Sequence, residues 1–111
     1  MADVHATHAM INAAVLAELG PSGVLINIAR GSIVDEDALV QALRDGKILA
    51  AGLDVFCNEP NVSQALLELP NVVLTPHMAS TTDATVQAML SMTFENLKDY
   101  FAGVPLSAQV N

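Results

Sequence analysis

Positive charge is scarce in this chain. Four lysines and arginines stand against twelve aspartates and glutamates, a formal net charge of −8 over 111 residues. Binding to nucleic acid requires cations set against phosphate, so this balance argues against it. Tryptophan is absent, and one tyrosine with three phenylalanines is too few for a base-stacking platform. A single cysteine, Cys57, allows no internal disulfide. It reads as a small loop or core residue rather than a nucleophile, which would need a neighbouring base. No apolar run reaches the ~18 residues that span a bilayer. The start, Met1–Ala2–Asp3, lacks the basic flank and apolar run of a signal peptide. A cytoplasmic location without membrane attachment is the expectation. His5 and His8 are followed by no further Cys or His at ligand spacing, so no metal site is expected.

What is present is apolar: 52% of residues are hydrophobic and only 14% charged. A chain of this size buries roughly 65% of the surface its unfolded form exposes, enough for one domain with a real core. Residues 1–10 read as a loop or frayed end. Asn12 caps a short helix that stops at Gly20 before the turn Pro21–Ser22–Gly23. Val24 to Ala29 has the length and β-branched content of a buried strand. Asp35–Glu36–Asp37 supplies acid for the N-terminus of a second helix that ends at Gly46. Ile48 to Val55 reads as a second strand, residues 63–69 as a short helix or turn, and Asn71 to Thr75 as a third strand. Ser80 to Phe101 is the longest periodic segment, capped by Ser80 or Thr81. Its stripe of Val86, Met89, Leu90, Thr93, Leu97 and Tyr100 reads as a core face, with the methionines as filler. Strands alternating with helices imply an α/β fold with a parallel sheet.

Each strand then ends in a charged or ionisable residue: Arg30, Asp54 and His77, with Glu59 in the loop after Asp54. Parallel strands deliver their ends to one edge, where open α/β sheets take their ligands. An arginine there can clamp a carboxylate through two parallel hydrogen bonds. A histidine can protonate a developing alkoxide near neutral pH. A carboxylate beside the imidazole favours its charged form and fixes its orientation; Glu59 suits His77.

The strings GVLINIARGSIVDEDALVQAL, AAGLDVFCNEP and NVVLTPHMAS resemble the second half of the nucleotide-binding domain of the D-isomer-specific 2-hydroxyacid dehydrogenases. Within that family the chain is most similar to the hydroxypyruvate/glyoxylate reductase branch. The resemblance runs from about His8 to Gly103. It implies a partial Rossmann-like sheet of about three strands with flanking helices and a long C-terminal helix. It also implies hydride transfer between NAD or NADP and a small 2-oxo acid. Arg30 would bind the substrate, His77 would be the acid/base and Glu59 its partner carboxylate. Ile28, Ala29, Arg30, Asp54, His77, Met78, Ala79 and Ser80 would line the cofactor.

Residues 1–111 hold no G-x-G-x-x-G turn and no substrate domain of that family. Met78–Ala79 stands where the family more often has an aliphatic residue and glycine. The expectation is therefore one truncated NAD(P)-binding domain over residues 1–111, a fragment whose isolated form lacks activity because its main phosphate contacts are absent. The alternatives are a catalytically silent, self-associating half-domain or an interaction module. The strand at 24–28 would be an unpaired apolar edge, through which a homo-oligomer is expected.

Overall fold

The computed structural model describes residues 4–109, in two compact units that divide between Met78 and Ala79.

The first unit carries the sheet. Asn12 opens α2 (Ala13–Leu19), its Oδ1 accepting the N–H groups of Ala14 and Val15 at 3.0 and 3.2 Å. This satisfies two donors that the first turn of a helix leaves orphaned. Asp35 does the same for α3 (Glu36–Arg44), accepting Ala38 N–H at 3.0 Å. That helix gives way at Gly46, whose φ of 65° is a left-handed conformation glycine adopts freely. Between the helices lie β1 (Val24–Asn27) and a 3-10 turn at Gly31–Ile33. After α3 follow β2 (Ala50–Leu53), the single turn α4 (Gln64–Leu67) and β3 (Val72–Leu74). Each strand is shorter than the segment expected for it.

The sheet order is β1-β2-β3, parallel throughout, with Ile26 beside Gly52 and Gly52 beside Val73. Parallel neighbours need crossover connections, which α3 and α4 supply. Leu16, Leu39, Leu43, Leu53 and Leu66 form the centre of one core, each at most 4% exposed. The opposite face differs from the expectation of strands buried on both sides. Ile26 and Val73 are 64% and 69% exposed. β1 pairs with β2 alone among the described residues and is an edge.

Residues 4–10 are also more ordered than their composition suggests. Met1 to Asp3 and the His5 side chain lie outside the description, but Val4–Thr7 forms one helical turn, α1. The backbone after it is pinned to the 3-10 turn: Ala9 N–H donates to Ser32 O at 2.8 Å and Ile11 N–H to Ile33 O at 3.0 Å. These backbone bonds are independent of side-chain type, so composition gave no sign of them.

The second unit is built around α5 (Asp83–Ala102). Its cap is Thr82, not Ser80 or Thr81; the Thr82 hydroxyl accepts Thr85 N–H at 3.3 Å. Tyr100 and Phe101 meet edge to face, with ring centroids 5.4 Å apart. The expected core stripe is not a core: no residue of α5 is buried, and Met89 and Leu90 are exposed. Periodicity identified a helix here, but burial depends on what lies opposite it.

Leu39, fully buried in the first unit, tests that core. Leu39→Ala should cost about 2–5 kcal/mol, read as a lowered urea midpoint with an unchanged slope.

Candidate active site

Because the strands run the same way, their C-terminal ends share one rim. At the end of β1 stands Asn27, 6% exposed. Its Oδ1 accepts Ala29 N–H at 3.1 Å and its Nδ2 donates to the Arg30 carbonyl at 3.0 Å. A buried amide must have its bonds satisfied, and here the bonds fix the path of the chain off the strand. Ile28 and Ala29 are exposed along that path. Arg30 follows in extended backbone, its Nη1 donating to the Ala29 carbonyl at 2.6 Å. Next comes Gly31, which is buried against the second loop. A Cβ there would sit 2.0 Å from the Phe56 carbonyl carbon and 2.1 Å from its oxygen. Only a residue without a side chain allows the two backbones to approach so closely.

At the end of β2 stands Asp54, 4% exposed. Its Oδ1 accepts the Thr75 hydroxyl at 2.5 Å and the Met78 N–H at 2.8 Å. These bonds tie the residues flanking His77 to the end of β2. In the loop beyond, Phe56 N–H donates to Glu59 Oε1 at 3.0 Å, and Cys57 N–H donates to Glu36 Oε2 at 2.6 Å. The Glu59–Pro60 peptide bond is cis.

At the end of β3 the chain turns at Pro76. His77 N–H donates to Thr75 O at 3.0 Å, and His77 takes a φ of 53°. That left-handed conformation is uncommon outside glycine, although histidine is among the residues that enter it more readily. Its Nδ1 lies 2.7 Å from Glu59 Oε2. Both Glu59 oxygens are thus engaged, one by the backbone of its own loop and one by the imidazole. Phe56, Pro60, Val62 and Pro76 join the pair in lining a cleft of about 390 Å³.

The Glu59 carboxyl is held below its ordinary value. The hydrogen bond to His77 is the largest cause and the Phe56 N–H the second; desolvation opposes them, and the charges of His77 and Arg30 add to the lowering. Cys57 is an exposed loop residue whose sulfur turns inward, donating to the Gly31 carbonyl at 3.3 Å. Burial of the thiol, then the neighbouring Glu36, pushes its pKa up to about 11, which is the opposite of an activated nucleophile.

Residues 1–79 match the family model for the D-isomer specific 2-hydroxyacid dehydrogenase, NAD binding domain. The chain belongs to this family. Its similarity to a 2-ketogluconate reductase of Gluconobacter oxydans is 48% identity over 101 residues, covering 91% of this chain and 33% of that one. Against glyoxylate/hydroxypyruvate reductase B of Pectobacterium atrosepticum the identity is 52% over 92 residues, covering 82% and 29%. Among solved structures, an NADPH-dependent glyoxylate/hydroxypyruvate reductase of Sinorhizobium meliloti, crystallised with NADP and malonate, superposes with a TM-score of 0.83. It is 53% identical and is covered over 95% of this chain and 33% of that one. The chain thus spans about a third of the length of the dehydrogenase relatives it matches.

The structure joins His77 to Glu59 directly, and Asp54 to Met78. Ala79 and Ser80 begin the second unit and are exposed there. Sequence reasoning passed over three residues that shape this rim. Asn27 had a signal: it is the one amide inside an apolar strand run, a polar group that must be paired where it is buried. Thr75 had none beyond its place after a strand. Glu36 was hidden inside an acidic cluster already explained by helix capping.

The Glu59–His77 bond has a pH signature. A carboxyl held below its ordinary value stabilises the fold above that value and loses the contribution as pH falls through the lowered one. Glu59→Gln should therefore flatten the acid limb of stability against pH and leave neutral stability slightly lower. Thermal melts from pH 7 down to about pH 3 would show this; an acid limb as steep as in the parent would refute it.

Proposed function

We propose that this chain carries the catalytic rim of a reductase that transfers a hydride between NAD(P)H and a small 2-oxo acid such as glyoxylate or hydroxypyruvate. The observation that carries the reading is the His77–Glu59 pair, 2.7 Å apart, on the C-terminal rim of a parallel sheet in a chain of this family. Arg30 binds the substrate carboxylate through its guanidinium, a fork matched to two oxygens. Glu59 holds Nδ1 of His77, which leaves Nε2 to carry the transferable proton. That proton passes to the substrate oxygen as the carbonyl is reduced, a general-acid step suited to imidazole near neutral pH.

The residues present fit one end of a dinucleotide. A buried carboxylate, Asp54, lies at the end of the central strand, where open α/β sheets take ligands. Asp54, the backbone of Ile28–Ala29–Arg30, and His77 with Met78 are the residues of the first unit that would hold the nicotinamide. The family resemblance adds Ala79 and Ser80. When bound, the nicotinamide supplies the hydride. The diphosphate end has no matching glycine-rich turn in residues 1–111. That favours a second reading, a half-domain silent alone that acts when another polypeptide provides the missing turn. The proposal covers NAD and NADP alike and small 2-oxo acids as a class, since relatives of similar identity bear the names of different substrates.

Hydroxypyruvate- or glyoxylate-dependent NADH oxidation tests both readings. We expect little turnover by the chain alone and measurable turnover when it is mixed with a glycine-turn half-domain of the family. His77→Ala should lower that turnover about 10²–10⁴-fold, the usual weight of a general acid. Turnover indifferent to His77→Ala would refute the assignment.

The partner chemistry we propose is a second copy, paired through the β1 edge at 24–28. Val24, Ile26 and Ile28 are exposed there, the latter two at 64% each, and an unpaired apolar edge is a template for strand addition. Sedimentation at micromolar concentration should show a dimer or larger species, and Ile26→Lys should shift it to monomer. A parent chain that sediments as monomer refutes the pairing. Among the described residues no helix is long and apolar enough to cross a membrane; with a single cysteine, we place the protein in the cytoplasm.

A further inference from the structure

The acidic residues that begin α3 divide their work. Asp35 caps the helix. Glu36 reaches away from it: its Oε2 accepts Cys57 N–H at 2.6 Å, across 21 residues of sequence. The neighbouring amide, Phe56 N–H, is taken by Glu59 Oε1 at 3.0 Å. Two successive amides of one loop are thus held by two carboxylates, one from the loop itself and one from a helix. Cys57 to Asn61 are all exposed; besides these two bonds, the loop is held by Cys57 Sγ donating to the Gly31 carbonyl at 3.3 Å and by Asn61 N–H donating to Asn58 O at 2.8 Å. Beyond the buried Phe56 the turn is exposed and opens at lower cost than the core, and the charge-assisted bond to Glu36, at 2.6 Å the shortest of these four, ties it to a helix.

We propose that Glu36 is a positioning residue, fixing the 56–59 turn through the Cys57 amide so that Glu59 presents its carboxylate to His77 Nδ1. The proposal rests on the reading of Glu59 and His77 as the working pair. Glu36 bonds the Cys57 amide rather than either member of that pair. Glu36→Ala removes the acceptor. Glu36→Asp keeps the negative charge at the start of α3 and shortens the reach by one methylene. Glu36→Gln keeps an oxygen able to accept the Cys57 N–H at full length.

The reporter is the titration of the Glu59 side-chain carboxyl, followed by carbon-13 NMR in the full 111-residue chain. The groups around Glu59 that set its value are His77, the Phe56 N–H and Arg30. If the turn loosens, the first two are lost and the midpoint rises toward that of an ordinary glutamate. Charge removal works the other way: deleting a nearby carboxylate, by itself, lowers the midpoint. A rise in Glu36→Ala and Glu36→Asp, with Glu36→Gln restored to the parent value, is the expected result. An unmoved or lowered midpoint in Glu36→Asp overturns the proposal even if its melting temperature drops, and this variant decides the matter if Glu36→Ala does not fold. The titration needs no turnover. Turnover indifferent to His77→Ala would sink the working pair and leave the Glu59 midpoints as they are.

Discussion

Everything on the rim depends on a contact that involves no side chain at all. Gly31 lies so close to the Phe56 carbonyl that a single added carbon would overlap it. This contact puts the loop after β1 against the loop after β2. On one side of it is Arg30; on the other is the turn that ends in Glu59. The sheet brings three strand ends to the same edge, but strand ends in a sheet are still separated by the spacing of the ladder. Backbone-to-backbone packing closes the remaining gap, and hydrogen bonds to Asn27, Asp54 and Glu36 keep the loops in place.

A division of roles follows. The residues proposed for chemistry, Arg30, Glu59 and His77, are exposed, as groups that must meet a substrate should be. Asn27 and Asp54, directly behind them, are the two buried polar residues of the described chain. Their burial costs desolvation, which is offset by the bonds they make to backbone and hydroxyl. The buried pair holds the shape, and the exposed groups have their oxygens and nitrogens directed by it.

Much of this was legible in the amino acids. Asn12 and Asp35 announce helix starts because a side-chain oxygen followed by helical periodicity has few other uses. Arg30, Asp54 and His77 each follow an apolar run, which is enough to place them on one edge once the strands are parallel. Glu36 was not legible, because a carboxylate at a helix start already has a sufficient local reason to be there, and its real partner is distant in sequence. The α5 stripe misled for a related cause: Met89 and Leu90 have helical spacing, but spacing reports only the local fold. Thr82 rather than Thr81 as cap turned on one residue of register, finer than composition resolves.

The backbone at His77 has a consequence of its own. With φ at 53°, this position filters replacements by shape before it filters them by acid strength. Branched residues such as valine, isoleucine and threonine are disfavoured there, whereas asparagine, aspartate and glycine fit easily. A lineage that let the proton-carrying role proposed for His77 lapse would therefore drift first toward those three. On that proposal, an asparagine at this site in a cousin would mark a retired acid whose scaffold still stands.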